Sequence, residues 1–136
     1  IRFGDPVTKR NEYYLQLCSE LHALGAKILP EHPAHSKESN TELLDKLAKL
    51  EADFAKNDDY INLGQDIITH IISHYPDITP HMHRDLLWFF GGDCLHYLGD
   101  DELERYQNIE ELYYEQSAED SNTSYRNIRA QQFGMH

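Results

Sequence analysis

The feature that most constrains the fold is the spacing of the apolar residues, which recur every three or four positions and rarely alternate. The clearest case is the series Leu43, Leu47, Leu50 and Phe54. This spacing places all four side chains on one face of an α-helix, whereas a half-buried strand would need an apolar residue at every second position. The sequence therefore predicts an all-α protein, a helical bundle in which each helix buries one face.

The same criterion predicts five main helices in a single domain, residues 1–136. Helix one should run from about Lys9 to Leu24, with Gly25 as its stop, and helix two should be capped by Ser39 or Thr41 and run to about Lys56. The remaining three are expected at about 59–75, 80–98 and 100–116.

Three stretches are not expected to be regular helix. Residues 1–8 are predicted to be an arm, and residues 26–40 a loop in which prolines and histidines accumulate. The polar segment 118–136 should be a partly ordered tail, where Tyr125, Ile128 and Phe133 could support a short last helix.

The helix expected at 80–98 should be the central one, because it is apolar on two sides. It holds the only tryptophan, Trp88. The pair Gly91-Gly92 could break this helix, but the apolar spacing continues through it, so the sequence predicts a continuous helix with a kink.

Polar side chains on the central helix form the first candidate site. Asp85, Asp93 and His96 all project from the side opposite the main apolar face, and a buried carboxylate beside an imidazole is either a satisfied structural pair or part of an active site. Asp93 and His96 also have the carboxylate-x-x-His spacing of di-metal helical proteins, although no second such pair is present. Together with Trp88, they are candidate ligand-binding residues.

His70 and His74 form the second candidate site, because they lie one helical turn apart. Asp66 precedes them by one turn, which is a spacing typical of metal ligands on a helix. A divalent metal ion could therefore bind here, and His81 and His83 could approach the pair around the bend at Pro76. No other cofactor is predicted.

The charge is strongly acidic and unevenly distributed. The chain has 12 basic and 24 acidic side chains, a net charge of −12. Between Asp93 and Asp120, ten acids face one base, Arg105, so this segment carries −9 of the total. Such a field repels nucleic acid and anionic membranes, while an acidic helix face either confers solubility or docks a basic partner.

Other function classes lack the sequence features they would need. No glycine-rich loop of phosphate-binding spacing is present, and neither Cys18 nor Cys94 has the electropositive setting of a reactive thiol. Whether the chain is an enzyme stays open, with the balance against it. The two cysteines fit reduced thiols in a cytoplasmic protein, and no apolar run approaches the length of a membrane span.

The central segment resembles a known family. Residues Arg84-Asp85-Leu86-Leu87-Trp88-Phe89-Phe90-Gly91-Gly92-Asp93-Cys94-Leu95-His96, after Ser73-His74-Tyr75-Pro76 and Thr79-Pro80, are similar to the signature of small proteobacterial proteins without an assigned activity. The resemblance implies a soluble, all-helical protein and supplies no catalytic residues.

Two interpretations follow from these observations. The first is an interaction or assembly protein, expected to be a homodimer that covers the aromatic surface of Trp88 and Phe89 or to bind another protein. The second is a metal- or small-ligand-binding protein, a hydrolase or an oxidoreductase, with its site at Asp85, Asp93 and His96 or at His70 and His74.

Overall fold

In the computed structural model, residues 9–56 and 59–134 are described. Six α-helices follow one another: α1 (Arg10–Ile28), α2 (Lys37–Ala55), α3 (Ile61–His74), α4 (Asp85–Phe90), α5 (Asp100–Glu119) and α6 (Tyr125–Gln132). Short 3₁₀ turns lie at Leu29–Glu31, Thr79–His81 and Gly92–Tyr97. These residues contain no strand, so the predicted all-α class is confirmed. The expected arm, residues 1–8, lies outside the described residues.

Helix α1 continues past Gly25, so the predicted stop at this residue is wrong. A Cβ atom added to Gly25 would lie 2.7 Å from Leu47 Cδ1 of α2. The missing side chain therefore allows α1 and α2 to approach closely, and the helix extends to Ile28. The predicted loop 26–40 is correspondingly shorter, and the connector between the two helices is residues 29–36.

Helix α2 begins earlier than expected. Its N-cap is Ser36, whose hydroxyl accepts a hydrogen bond from the Ser39 amide at 3.0 Å, so Ser39 lies inside the helix and does not cap it. The predicted apolar face of α2 is confirmed by burial, since Leu43, Leu47, Leu50 and Phe54 are each at most 6 % exposed. This face packs against α1 and α3.

Helix α3 buries its isoleucines against α2 and α4. Ile67, Ile68 and Ile71 are almost completely buried. Gly64 receives the ring of Phe90, because a Cβ atom at this position would lie 2.1 Å from Phe90 Cε1. The helix ends before Tyr75 and Pro76, close to the predicted boundary.

The continuous central helix predicted at 80–98 is not formed. Only Asp85–Phe90 is α-helical, because Gly91 adopts φ 65° and ψ −147°, a conformation that side chains with a Cβ atom avoid. Gly92 also has a positive φ, and the amide of Gln65 occupies the space where its Cβ would be. Gln65 donates to the Phe90 carbonyl at 2.8 Å, and the chain continues as a 3₁₀ turn.

The C-terminal part consists of α5 and the short α6, which pack against each other. The Ser124 hydroxyl caps α6 by accepting a hydrogen bond from the Asn127 amide at 3.1 Å. Tyr125 and Ile128 are buried, so the helix that these residues could support does form within the segment expected to be a tail. No helix in the described part of the chain combines the length and apolarity needed to cross a membrane.

Candidate functional site

Asp85, the first residue of α4, lies where α1, α5 and α6 meet this helix. It is only 2 % exposed, and its carboxylate accepts four hydrogen bonds. Tyr13 and Tyr106 donate their hydroxyls at 3.0 and 3.1 Å, and Arg129 donates Nε and Nη2 at 2.6 and 3.0 Å. A carboxylate has about four lone-pair positions, so Asp85 is saturated by the protein itself. Its place in this structure is that of a joint between four helices.

The donors around Asp85 keep their protons at physiological pH. Burial raises the pKa values of Tyr13 and Tyr106, and the charge of Asp85 raises them further. Burial alone would lower the pKa of Arg129, but its hydrogen bonds and ion pair with Asp85 outweigh this effect and raise the pKa. All three donors therefore keep the protons that they share with Asp85 throughout the pH range in which most proteins work.

Trp88 belongs to a second polar group centred on Glu110 of α5. Its indole Nε1 donates to Glu110 Oε2 at 3.2 Å, and its ring stacks on Tyr106 with 5.7 Å between centroids. Glu110 also accepts from Tyr125 Oη at 2.6 Å and from Arg10 Nε at 2.7 Å. The single tryptophan therefore connects α4 to α5, and its only polar atom has an internal partner.

Asp93 and His96 lie apart from Asp85 in their surroundings. Both are exposed on the 3₁₀ turn that follows the glycine break, whereas Asp85 is enclosed by donors from α1, α5 and α6. Because the chain changes direction at Gly91 and Gly92, these side chains do not share the face that a continuous helix would have given them. Of the four predicted ligand-binding residues, Asp85 and Trp88 thus have partners within the chain, whereas Asp93 and His96 lie at exposed positions.

His70 and His74 are neighbours, as their spacing predicts. Their rings stack with 4.5 Å between centroids, and the ring of His35 from the connector lies 6.4 Å from that of His74. Burial lowers the pKa of His70, and the neighbouring His74 and Lys46 lower it further. His70 therefore favours the neutral imidazole, which is the form that binds metal ions.

A small cavity of about 70 Å³ lies beside His70, between α2 and α3. It is lined by Ser39, Glu42, Leu43, Lys46, Asp66, Ile67 and His70. Despite this mixture of carboxylates and imidazole, no group of three or more histidine, cysteine, aspartate or glutamate side chains in residues 9–56 and 59–134 is arranged to hold a metal ion. His70 and His74 could thus offer two imidazoles to a metal ion, but within that part of the chain no third ligand is placed beside them.

The solvent side of α5 is a strongly acidic surface. Six of its acids are exposed, namely Asp100, Asp101, Glu104, Glu111, Glu115 and Glu119. Within the described residues, none of the six forms an ion pair, whereas Glu102 and Glu110 on the same helix are bound by Arg84 and Arg10. The unpaired charges are therefore concentrated on the face directed away from the core. We call the surface formed by Tyr114 and these six acids the acidic face of α5.

Tyr114 is a residue of this face that the helical pattern does not single out. Its side chain is 79 % exposed, the largest value among the exposed large apolar residues, whereas the adjacent Tyr113 is half-buried. Tyr114 lies three residues after Glu111, so the two share one side of the helix. In the sequence, the exposure of Tyr114 is indicated by its position just outside the apolar stripe of the helix.

A comparison with known protein families identifies the family of this chain. The model of the family described as PA2817-like matches residues 6–135, nearly the whole sequence. The chain belongs to the PA2817-like family. No curated protein and no solved structure matches it. The match includes the central segment on which the resemblance rests, and the family description names no reaction or ligand.

Proposed function

We propose that this member of the PA2817-like family is a protein-interaction module that binds a basic segment of another protein through the acidic face of α5. The observation that carries the proposal is the exposed Tyr114 among acids that have no ion-pair partner in the described structure. Tyrosine is one of the residues that contribute most to binding energy at protein interfaces, and surrounding charges select and steer an oppositely charged partner.

The internal use of the other polar groups supports this choice of surface. Asp85 accepts four hydrogen bonds and Glu110 accepts three, all from donors of the chain itself. Of the α5 acids that face solvent, Glu111 accepts one hydrogen bond, from Gln107 at 3.4 Å, and none forms an ion pair in the described structure. A partner that supplies lysine or arginine side chains would therefore find unpaired carboxylates at this face.

A partner other than a second copy is favoured by two features. Phe89 stacks on Tyr14 with 4.3 Å between ring centroids and on Phe54 with 5.3 Å, and Trp88 packs on Tyr106, so much of the aromatic surface expected to drive dimerisation is covered within the chain. Two acidic faces would also repel each other. Homodimerisation is thus the alternative outcome of the experiment below.

The proposed site of action is the cytoplasm. Cys18 and Cys94 are both free and buried, and burial raises the pKa of the Cys18 thiol to about 12. Thiols of this kind need no protection from oxidation and form no scaffold of disulfides, which fits a reducing compartment.

The experiment compares two matched triple variants. The first, Glu111→Gln with Tyr114→Ala and Glu115→Gln, alters the acidic face; the second, Glu38→Gln with Thr41→Ala and Asp45→Asn, removes the same charge from the exposed side of α2. The wild type and each variant are immobilised and incubated with extract of the source cells, and the proteins that they retain are quantified by mass spectrometry. Light scattering measures the mass of the wild type and of each variant in solution.

The proposal expects a protein with a basic surface that wild type and the α2 variant retain and that the α5 variant loses. Binding should also weaken as salt is raised, because exposed charge pairs are screened. Equal loss in both variants would show that overall charge, not this face, determines retention. A dimer that dissociates only in the α5 variant would replace the proposed partner with a second copy.

A further inference from the structure

Two imidazoles at the end of α3 are presented to solvent side by side. His70 and His74 are both exposed and lie one helical turn apart, and the helix ends at His74. Their rings stack with 4.5 Å between centroids and 23° between planes. An ion from solvent therefore reaches both rings at once. Two histidines four residues apart on one face of a helix are also the arrangement by which helical zinc sites bind their ion.

The ring of His74 is oriented by the backbone of its own helix. Its Nδ1 lies 3.3 Å from the carbonyl oxygen of His70, which can only accept, so the ring donates its proton there. This neutral tautomer leaves the lone pair of Nε2 free. Metal-binding histidines commonly donate their other ring N–H to a carbonyl or a carboxylate in this way, and the hydrogen bond fixes both the tautomer and the orientation of the ring.

The ring of His70 has no polar partner that a metal ion would have to displace. In residues 9–56 and 59–134 it forms neither a hydrogen bond nor an ion pair, and it packs on the rings of His74 and Tyr75. Imidazole nitrogens bind zinc at about 2.0–2.1 Å, so two of them on one ion lie about 3 Å apart. Because both side chains are exposed and the second side-chain torsion of histidine is broad, small rotations of the rings bring the two nitrogens to this distance.

The charges around the pair favour a cation. The C-terminal end of a helix carries the negative end of its dipole and carbonyls that lack intrahelical partners. Asp66, one turn before His70, lines the neighbouring cavity together with Glu42 and Lys46 of α2. Lys46 is paired with Glu42 at 3.6 Å, whereas Asp66 has no ion pair in the described structure. These three side chains together carry one negative charge.

We propose that His70 and His74 form a two-histidine site for a divalent transition-metal ion, with water in the other coordination positions. Imidazole suits Zn²⁺, Ni²⁺ and Cu²⁺, and a given nitrogen site binds Cu²⁺ most tightly of the three. Two protein ligands with open positions also do not impose the closed tetrahedron of structural zinc sites. Cu²⁺ is therefore the ion that should bind best. The site lies on α3 and is independent of the acidic face of α5.

The first experiment titrates Cu²⁺ into the full chain, free of affinity tags and stripped of metal with a chelator. Excess Mg²⁺ is present, because it occupies carboxylates and leaves imidazoles free. Competition with a coloured chelator gives the dissociation constant, and electron paramagnetic resonance reports the ligand atoms. The first equivalent of Cu²⁺ should show coupling to two nitrogens. A spectrum with oxygen ligands alone would overturn the proposal.

Single variants test the two ligands one at a time. His70→Gln and His74→Gln should each weaken Cu²⁺ binding by about tenfold or more, because either change leaves a single imidazole. The matched control is His22→Gln on α1, where His22 is paired with Glu51 at 2.8 Å. Its dissociation constant should stay within about twofold of the wild-type value. Unchanged binding in either α3 variant, or an equal loss in the control, would contradict a site at the pair.

Thermal unfolding adds a second readout. The two rings lie side by side only while α3 is folded, and an ion that binds the folded state alone stabilises it. Cu²⁺ should therefore raise the melting temperature of the wild type and of His22→Gln, and not that of His70→Gln or His74→Gln. An equal rise in all four proteins would place the ion elsewhere and overturn the proposal.

Discussion

The polar joint around Asp85 and the histidine cluster around Tyr75, which consists of His32, His35, His70 and His74, perform the same structural task with different chemistry. Each attaches one part of the chain to the rest, the joint by binding α6 and the cluster by binding the connector. In the joint, tyrosine and arginine donate to a carboxylate that is 2 % exposed. In the cluster, the buried His32 donates to an exposed aspartate, and the partly exposed His35 donates to a backbone carbonyl.

The difference lies in the donors. The pKa values of Tyr13, Tyr106 and Arg129 are raised, so these groups stay protonated between about pH 5 and pH 8. Imidazoles change charge in that interval, and burial lowers the pKa of His70, so its charged form is disfavoured in the folded state. The arginine and tyrosine donors of the joint therefore keep their protons in mild acid, whereas His70 beside Tyr75 is a group whose protonation the folded state disfavours.

The strongest test of the comparison removes the centre of the joint. Asp85→Ala leaves the partly exposed Arg129 guanidinium and the buried hydroxyls of Tyr13 and Tyr106 without their acceptor, and breaking a buried ion pair in this way costs about 3–5 kcal/mol. We expect a loss of that size in the free energy of unfolding, measured by urea denaturation. Asp93→Ala is the control, because Asp93 is exposed; its change should stay within about 0.5 kcal/mol. Equal losses would mean that Asp85 contributes no more to the free energy of unfolding than an exposed aspartate does.

A smaller change removes one donor from the joint. Tyr106→Phe keeps the ring that stacks on Trp88 and deletes the hydroxyl that donates to Asp85. Three of the four hydrogen bonds remain, so the free energy of unfolding should fall by about 1 kcal/mol, the typical value of one net hydrogen bond. The same denaturation experiment measures it, and a loss as large as that of Asp85→Ala would show that the four donors act as one unit.

The smallest expected effect distinguishes the two regions by pH. The folded-state pKa of His70 lies below its unfolded value, so the unfolded chain takes up more protons once the pH falls below about 6.5. Stability from this group is complete above that pH and decreases toward lower pH. His70→Gln should therefore flatten the pH dependence of the melting temperature between about pH 7.5 and pH 5.5. Tyr106→Phe should instead lower the melting temperature by the same amount at both pH values. Parallel curves for wild type and His70→Gln would remove the distinction.

Local spacing predicted most of the helices but misplaced their ends. The face of α2 and the isoleucines of α3 could be identified from intervals of three and four, because burial of one helix side requires them. The end of α1 could not, since a glycine that ends a helix and a glycine that admits a neighbouring helix look alike in sequence. At Gly25, the deciding atom is Leu47 Cδ1 of another helix.

The candidate site residues also divide into those whose neighbours local spacing predicted and those whose neighbours it did not. The neighbourhood of His70 and His74 followed from an interval of four, whereas the grouping of Asp85 with Asp93 and His96 depended on a continuous helix through Gly91. The actual partners of Asp85 are 72, 21 and 44 residues away in sequence. Nothing in the central segment points to them.

The sequence by itself determined that the chain is helical, which helix faces are buried and where the negative charge is concentrated, because these follow from periodicity and from counting charges along one helix. Only the tertiary structure decided which polar groups are saturated, where the central helix breaks and which surface stays free. Hydrogen bonds between distant residues and the contacts that permit a positive φ at Gly91 and Gly92 exist only after the helices have packed.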